Sequence, residues 1–126
     1  MRPDFSIKSP MDFQKVWQFR CAAGDGLLTV FVAPNDRDAR RLGLSISRKY
    51  GIAVKRNRWK RLVREAFRHL AAGLPRGVDF VVVPGKVRRA DALDDFEKSL
   101  EKLFPVVVKK LNQAIMANAS TYEVLP

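Results

Sequence analysis

Apolar residues change their spacing several times along this chain, and each change marks an element. Ser9-Pro10-Met11-Asp12 reads as a helix start, with Ser9 as N-cap, Pro10 at the first helical position and Asp12 reaching back as in a capping box. Phe13, Val16 and Trp17 then share one face, which predicts a short helix to about Phe19. Gly24-Asp25-Gly26 breaks the chain before Leu27–Ala33, a β-branched and aromatic run that predicts a strand, closed by Pro34-Asn35-Asp36. Alternation leaves open which of Val30, Phe31 and Val32 faces which side. From Arg41 to Ser47 the alternation is strict: Leu42, Leu44 and Ile46 point one way, and Arg41, Gly43, Ser45 and Ser47 the other.

Ile52-Ala53-Val54 leads into a long helix expected to end near Gly73. At about 100° per residue, Trp59, Leu62, Val63, Ala66, Phe67 and Leu70 fall within one arc of roughly 140°. Val78–Val83 predicts another buried strand, with Pro84-Gly85-Lys86 turning away from its end. Asp91 or Asp94 can cap a last helix carrying Leu93, Phe96, Leu100, Leu103 and Phe104. Pro105 is expected to end or bend it, leaving Lys109–Pro126 as a separate short helix and frayed tail. No internal repeat or low-complexity tract occurs.

Charge changes the picture of the long helix. Opposite its apolar arc lie Asn57, Arg61, Arg64 and Arg68, flanked by Lys60 and Arg58, with only Glu65 to dilute them and to pair with one of the cations. Between Arg37 and Arg68 stand twelve of the 24 Lys and Arg residues, against Asp38 and Glu65 alone, so this window holds nearly all of the net charge of +11. A solvated helix face normally mixes its signs. Clustering of one sign on this scale points to a polyanion, with nucleic acid ahead of an anionic membrane. Arg outnumbers Lys nine to three in the window, which favours planar, bidentate phosphate recognition over diffuse attraction to lipid.

Composition excludes more than it assigns. At 126 residues and 47% hydrophobic, the chain suits one domain with one core. The single cysteine, Cys21, has no intrachain partner and suits a reducing compartment. No stretch has the length of a signal-peptide core or a membrane span, so a soluble cytoplasmic protein is expected. Side-chain catalysis needs a nucleophile with its base, paired carboxylates, or metal ligands at workable spacing. None is present: His69 stands alone beside the basic face, Asp94-Asp95 complement a helix dipole, and no Walker or dinucleotide glycine pattern occurs.

The contiguous run Arg41–Arg68 resembles the signature of the bacterial ribonuclease P protein subunit. It carries a strand ending in Ser and basic residues (Ser45, Ser47, Arg48, Lys49), a Gly51-Ile52-Ala53-Val54 link and an Arg56-Asn57-Arg58 helix continuing into Lys60-Arg61 and Arg64-Glu65. Asp12-Phe13-Gln14-Lys15-Val16 and the strand Asp79–Val83 agree in order, so the resemblance spans about residues 5–104. It implies an α+β fold, a single-domain α/β sandwich whose mixed central sheet has a left-handed crossover, opposite to the usual hand.

The resemblance also implies the small subunit of a ribonucleoprotein endonuclease that removes the 5′ leader from precursor tRNA. The RNA subunit and its Mg²⁺ would carry the chemistry, with no catalytic residue in the protein. Carried over by position, Arg56, Asn57, Arg58, Lys60, Arg61, Arg64 and Arg68 would contact ribonuclease P RNA. Phe13, Trp17, Ser45, Ser47, Arg48, Lys49 and Lys86 would receive the leader, with Trp17 standing where Phe or another large residue is common. Aromatic rings suit that task because every base offers a stacking face, although core packing would explain Phe13 and Trp17 as well. The competing readings are a ribosomal or general RNA-binding protein and a DNA-binding regulator, against which stand the flanking strands and the lack of a helix-turn-helix partner.

Overall fold

The structure is a computed structural model that describes residues 6–87 and 92–124. Its elements run α1 (Pro10–Phe19), β1 (Cys21–Gly24), β2 (Leu28–Pro34), β3 (Arg40–Leu44), α2 (Ala53–Leu70), β4 (Val78–Pro84) and α3 (Leu93–Val124), with short 3-10 turns at Arg48–Tyr50 and Ala71–Gly73. The four strands form one sheet in the order β1-β2-β4-β3. β1 and β2 pair antiparallel, as do β2 and β4, while β3 and β4 are parallel and joined through α2. This is the mixed sheet with a helical crossover that the resemblance implies.

Both faces of the sheet are covered, which explains why β4 reads as an almost unbroken apolar run. On one face Leu28, Val30, Val32, Leu42, Phe80 and Val82 pack against α2 and α3. Phe67, Phe80 and Phe104 form the centre of that layer, with ring centroids 5.4–6.0 Å apart in edge-to-face arrangements. On the other face Val81 and Ala33 meet Val16 of α1, with Phe13, Trp17, Phe31 and Val83 around them. The free edge of β3 is covered in turn: Ser6 bridges to Leu42, and the Ile7 amide donates to the Leu42 carbonyl at 2.9 Å.

Several expectations need correction. β1 was not predicted, because its Cys-Ala-Ala-Gly sequence carries no alternation; pairing with β2 creates it, and the Asp25 carboxylate closes the hairpin by accepting from the Leu27 and Leu28 amides, both at 3.1 Å. The β3 strand ends at Leu44, short of Ser47: the Ser45 amide still donates to Val82, after which the chain turns into Arg48–Tyr50. Pro105 neither ends α3 nor splits off Lys109–Pro126; one helix runs from Leu93 to Val124. Pro105 and Glu101, the residue whose carbonyl loses its donor, both lie on the exposed side of the helix, while Val107 and Leu111 carry the buried stripe onward.

Asp91 lies outside the described residues. Asp94 is not the cap of α3; the Ala92 amide donates to Asp95 Oδ2 at 3.3 Å, and Asp94 pairs with Lys98 at 3.0 Å. Ser9 does cap α1, accepting from the Met11 amide at 3.2 Å. Asp12, however, turns away from the helix start toward the sheet.

Candidate nucleic-acid interface

Asp12 turns toward Arg41, and this contact sets the geometry of the α1 face. Arg41 is buried, its Nε and Nη2 donating to the two Asp79 oxygens at 2.8 and 2.7 Å and its Nη1 to Asp12 Oδ2 at 3.3 Å. Asn35 Nδ2 donates a third hydrogen bond to Asp79, at 2.7 Å. Hydrogen bonding to Asp79 outweighs the burial and raises the guanidinium pKa above its ordinary value. Arg41 is thus spent inside the protein and drops out of the basic surface that its sequence position placed it in. It ties the first turn of α1 to β3 and β4.

One residue beyond Asp12, Phe13 lies on the sheet over Gly43. A Cβ at Gly43 would stand 2.8 Å from two carbons of the ring, so only glycine permits this approach. Phe13, Trp17 and Phe31 form an aromatic row: Phe13 and Trp17 centroids lie 6.4 Å apart, and Trp17 meets Phe31 edge-on at 4.8 Å. All three are half-buried, so each combines packing with an accessible flank. A cleft opens beside them, lined by Phe13, Trp17, Leu44, Ser45, Ile46 and Lys60. Ser47, Arg48 and Lys49 follow at the end of β3 and are exposed.

Phe31, in contact with Trp17 though not itself among the residues lining the cleft, is the aromatic residue whose side the sequence leaves open. Cross-strand register decides it, because Phe31 pairs with Val81 and Ala33 with Asp79, which puts Phe31 on the α1 face with Arg41 and Gly43. Lys86 is exposed in the loop after β4, where Gly85 donates to Leu27 and Val87 to Gly26, and it is not among the residues lining the cleft. Gly85 has a structural reason of its own: a Cβ there would stand 2.0 Å from the Gly26 carbonyl oxygen.

The long helix divides as its periodicity predicts. Trp59, Val63, Ala66 and Phe67 are buried and Leu62 and Leu70 half-buried, while Asn57, Arg58, Arg61, Arg64 and Arg68 are exposed. Arg56 folds back onto the Gly51 carbonyl at 2.7 Å, bracing the link before the helix. Glu65 pairs with Arg68 and reaches His69 Nε2 at 3.3 Å, and His69 Nδ1 lies 2.9 Å from Glu97 of α3. His69 therefore bridges two helices at the surface. The first turn of α2 holds no acidic residue and has no side-chain cap, so its free amides and Lys55 present positive charge to solvent together.

Among the described residues the cleft lining contains no carboxylate, and no group of three or more His, Cys, Asp or Glu side chains is arranged to hold a metal ion. The described side chains around the cleft do not fit a Mg²⁺ site. Nor is any helix among the described residues long and apolar enough to cross a membrane.

Comparison with known proteins converges on one family. The family model for ribonuclease P matches residues 1–108. The ribonuclease P protein component of Aliivibrio fischeri is 37% identical over 109 residues, covering 82% of this chain and 92% of that protein. That of Caldanaerobacter subterraneus subsp. tengcongensis is 36% identical over 98 residues, covering 77% and 84%. Among solved structures, the ribonuclease P protein of Staphylococcus aureus superposes with a TM-score of 0.73 at 28% identity, covering 85% of this chain and 97% of that one. The Thermotoga maritima protein gives 0.69 at 29% identity, covering 77% and 92%. The chain belongs to the ribonuclease P protein family and has that family's role as the protein subunit in tRNA processing.

Proposed function

We propose that the protein binds two RNAs at once: the catalytic RNA of ribonuclease P, through the exposed arc of α2, and the 5′ leader of precursor tRNA, through the cleft beside α1. The observation that carries this reading is the placement of an accessible aromatic row and a carboxylate-free cleft next to a helix whose outer face is almost purely cationic. Phe13, Trp17 and Phe31 offer stacking faces that accept any base, which suits leaders of varied sequence. Ser45 supplies a hydroxyl on the cleft wall, and Ser47, Arg48 and Lys49 supply phosphate partners at its mouth. Lys86 belongs at most to a distal stretch of that path. Arg56, Asn57, Arg58, Arg61 and Arg68 face the RNA subunit, with Arg56 also bracing the Gly51 link, while Lys60 and Arg64 border both the arc and the β3 side of the helix, within reach of either RNA.

In this arrangement Mg²⁺ is held by the RNA, which carries out hydrolysis of the leader phosphodiester. The protein screens phosphate repulsion and positions the single strand. The working compartment is the cytoplasm, where precursor tRNA is made. The test is cleavage of a 5′-extended precursor in Mg²⁺ at near-physiological salt by protein alone, ribonuclease P RNA alone, and both together. Strong stimulation only in the mixture is expected. RNA binding without stimulation would favour a general RNA-binding role, and cleavage by protein alone would overturn the assignment of chemistry to RNA.

A further inference from the structure

Beside the aromatic cleft lies a second compartment, bounded by the segment Ser6–Lys8, by Leu42 and Leu44 of β3, and by Lys60 and Arg64 of α2. It shares Leu44 and Lys60 with the cleft, so the two adjoin one another beside β3. We propose that this compartment is a phosphate subsite that holds the backbone of the same RNA single strand after it leaves the aromatic row, with Lys8, Lys60 and Arg64 as its ligands. The proposal rests on the leader cleft described above.

The chemistry of the lining selects the ligand. Lys8, Lys60 and Arg64 line it together, and among the described residues no acidic side chain lines the space. Among the described residues, none of the three makes an ion pair or a side-chain hydrogen bond, in contrast to Arg41, Arg68 and Lys98. The floor is made of Ile7 and Leu42, both buried, with the Ile7 amide already bonded to Leu42. The polar groups that the described lining offers are three cations and the Ser6 hydroxyl, a set that suits a phosphate. Lys60 is the hinge of the path: its half-buried stem lines both compartments, so its ammonium serves a strand passing from one to the other. The subsite also gives a role to the N-terminal segment, whose pairing with β3 brings Lys8 opposite α2.

Lys8 provides the test, because it is exposed and lies outside both the cleft lining and the basic helix. The reconstituted holoenzyme would be titrated with precursor tRNAs whose leaders are lengthened one nucleotide at a time, using the native protein, Lys8→Ala and Lys8→Glu. For the native protein, affinity should rise in two stages with leader length. Lys8→Ala should remove the second stage only, and lower the salt slope for long leaders by about 0.7, the contribution of one single-strand phosphate contact; Lys8→Glu should weaken long leaders further. Equal losses for long, short and leaderless precursors would overturn the proposal by placing Lys8 against the RNA subunit or the tRNA body, and no loss at any length would remove Lys8 from the path. A Phe13→Ala/Trp17→Ala control separates the two readings. If that variant loses its preference for leaders and Lys8→Ala does not, the cleft stands and the subsite falls. If the aromatic variant binds leadered and leaderless precursors like the native protein, the cleft itself is overturned.

Discussion

Gly43 and Arg41, two residues apart on β3, show how single side chains shape the leader site. Gly43 lets the Phe13 ring lie against the strand, and an added methyl would meet that ring at 2.8 Å. Gly43→Ala should therefore lower stability by about 1–3 kcal/mol through overpacking, and weaken leader binding more than binding of leaderless tRNA. Urea midpoints and paired affinity titrations would check both effects; an unchanged midpoint would mean that the ring moves freely. Arg41 matters for the opposite reason, as a buried charge that must stay paired. Asp79→Ala would leave its guanidinium with only Asp12 at 3.3 Å, and a loss of about 3–5 kcal/mol is expected in equilibrium unfolding. A loss below about 1 kcal/mol, the range of exposed pairs, would mean that water reaches the site.

Among the elements, α1 and α3 are attached in different ways. A salt-bridge network ties down the start of α1 and its aromatic residues complete the contact with the sheet, whereas α3 lays a long apolar stripe over β1 and β2. A second tie fastens the β1–β2 hairpin to α3: Ser99 donates to Asp25 Oδ2 at 2.7 Å, and Lys102 Nζ stands 3.3 Å from the same oxygen. Burial pushes the Asp25 pKa up, but bonds from the Leu28 amide, Ser99, the Leu27 amide and Lys102 outweigh it and leave the carboxyl below its ordinary value. The ionised form thus stabilises the fold fully above the unfolded carboxyl pKa of about 3.9, and that stabilisation is lost as pH falls through the lower folded value. Asp25→Asn should flatten the acid limb of melting temperature against pH while changing little of its slope near neutrality. An acid limb identical to the native one would assign acid sensitivity to other carboxylates.

For the whole molecule, the net charge of +11 makes RNA affinity a function of salt. With about six phosphates neutralised, affinity for the RNA subunit should fall about a thousandfold between about 50 and 200 mM salt. Arg61→Ala should lower the slope by about one. Arg68→Ala should lower it less, because Arg68 is already held by Glu65. A salt-independent affinity would exclude the basic arc as the interface.

Much of this was legible along the chain because it is local. Helical spacing sorts Trp59, Val63, Ala66 and Phe67 from Arg61, Arg64 and Arg68 without reference to any other segment, and the run Arg41–Arg68 carries the family resemblance in one contiguous stretch. The same spacing makes Phe13, Val16 and Trp17 neighbours before the sheet is known. Other features depend on partners far away in sequence. The strand β1 exists only through its pairing with β2, Phe31 takes its side from register with Val81, and α3 continues through Pro105 because the sheet accepts Val107 and Leu111. Arg41 stands among cations in sequence, yet Asp79, thirty-eight positions later, removes it from the surface. Periodicity reports which face of an element is apolar, since that follows from the geometry of a few consecutive residues. Register and ion pairing across strands follow from closing long loops, and only the folded chain shows which distant groups those closures bring together.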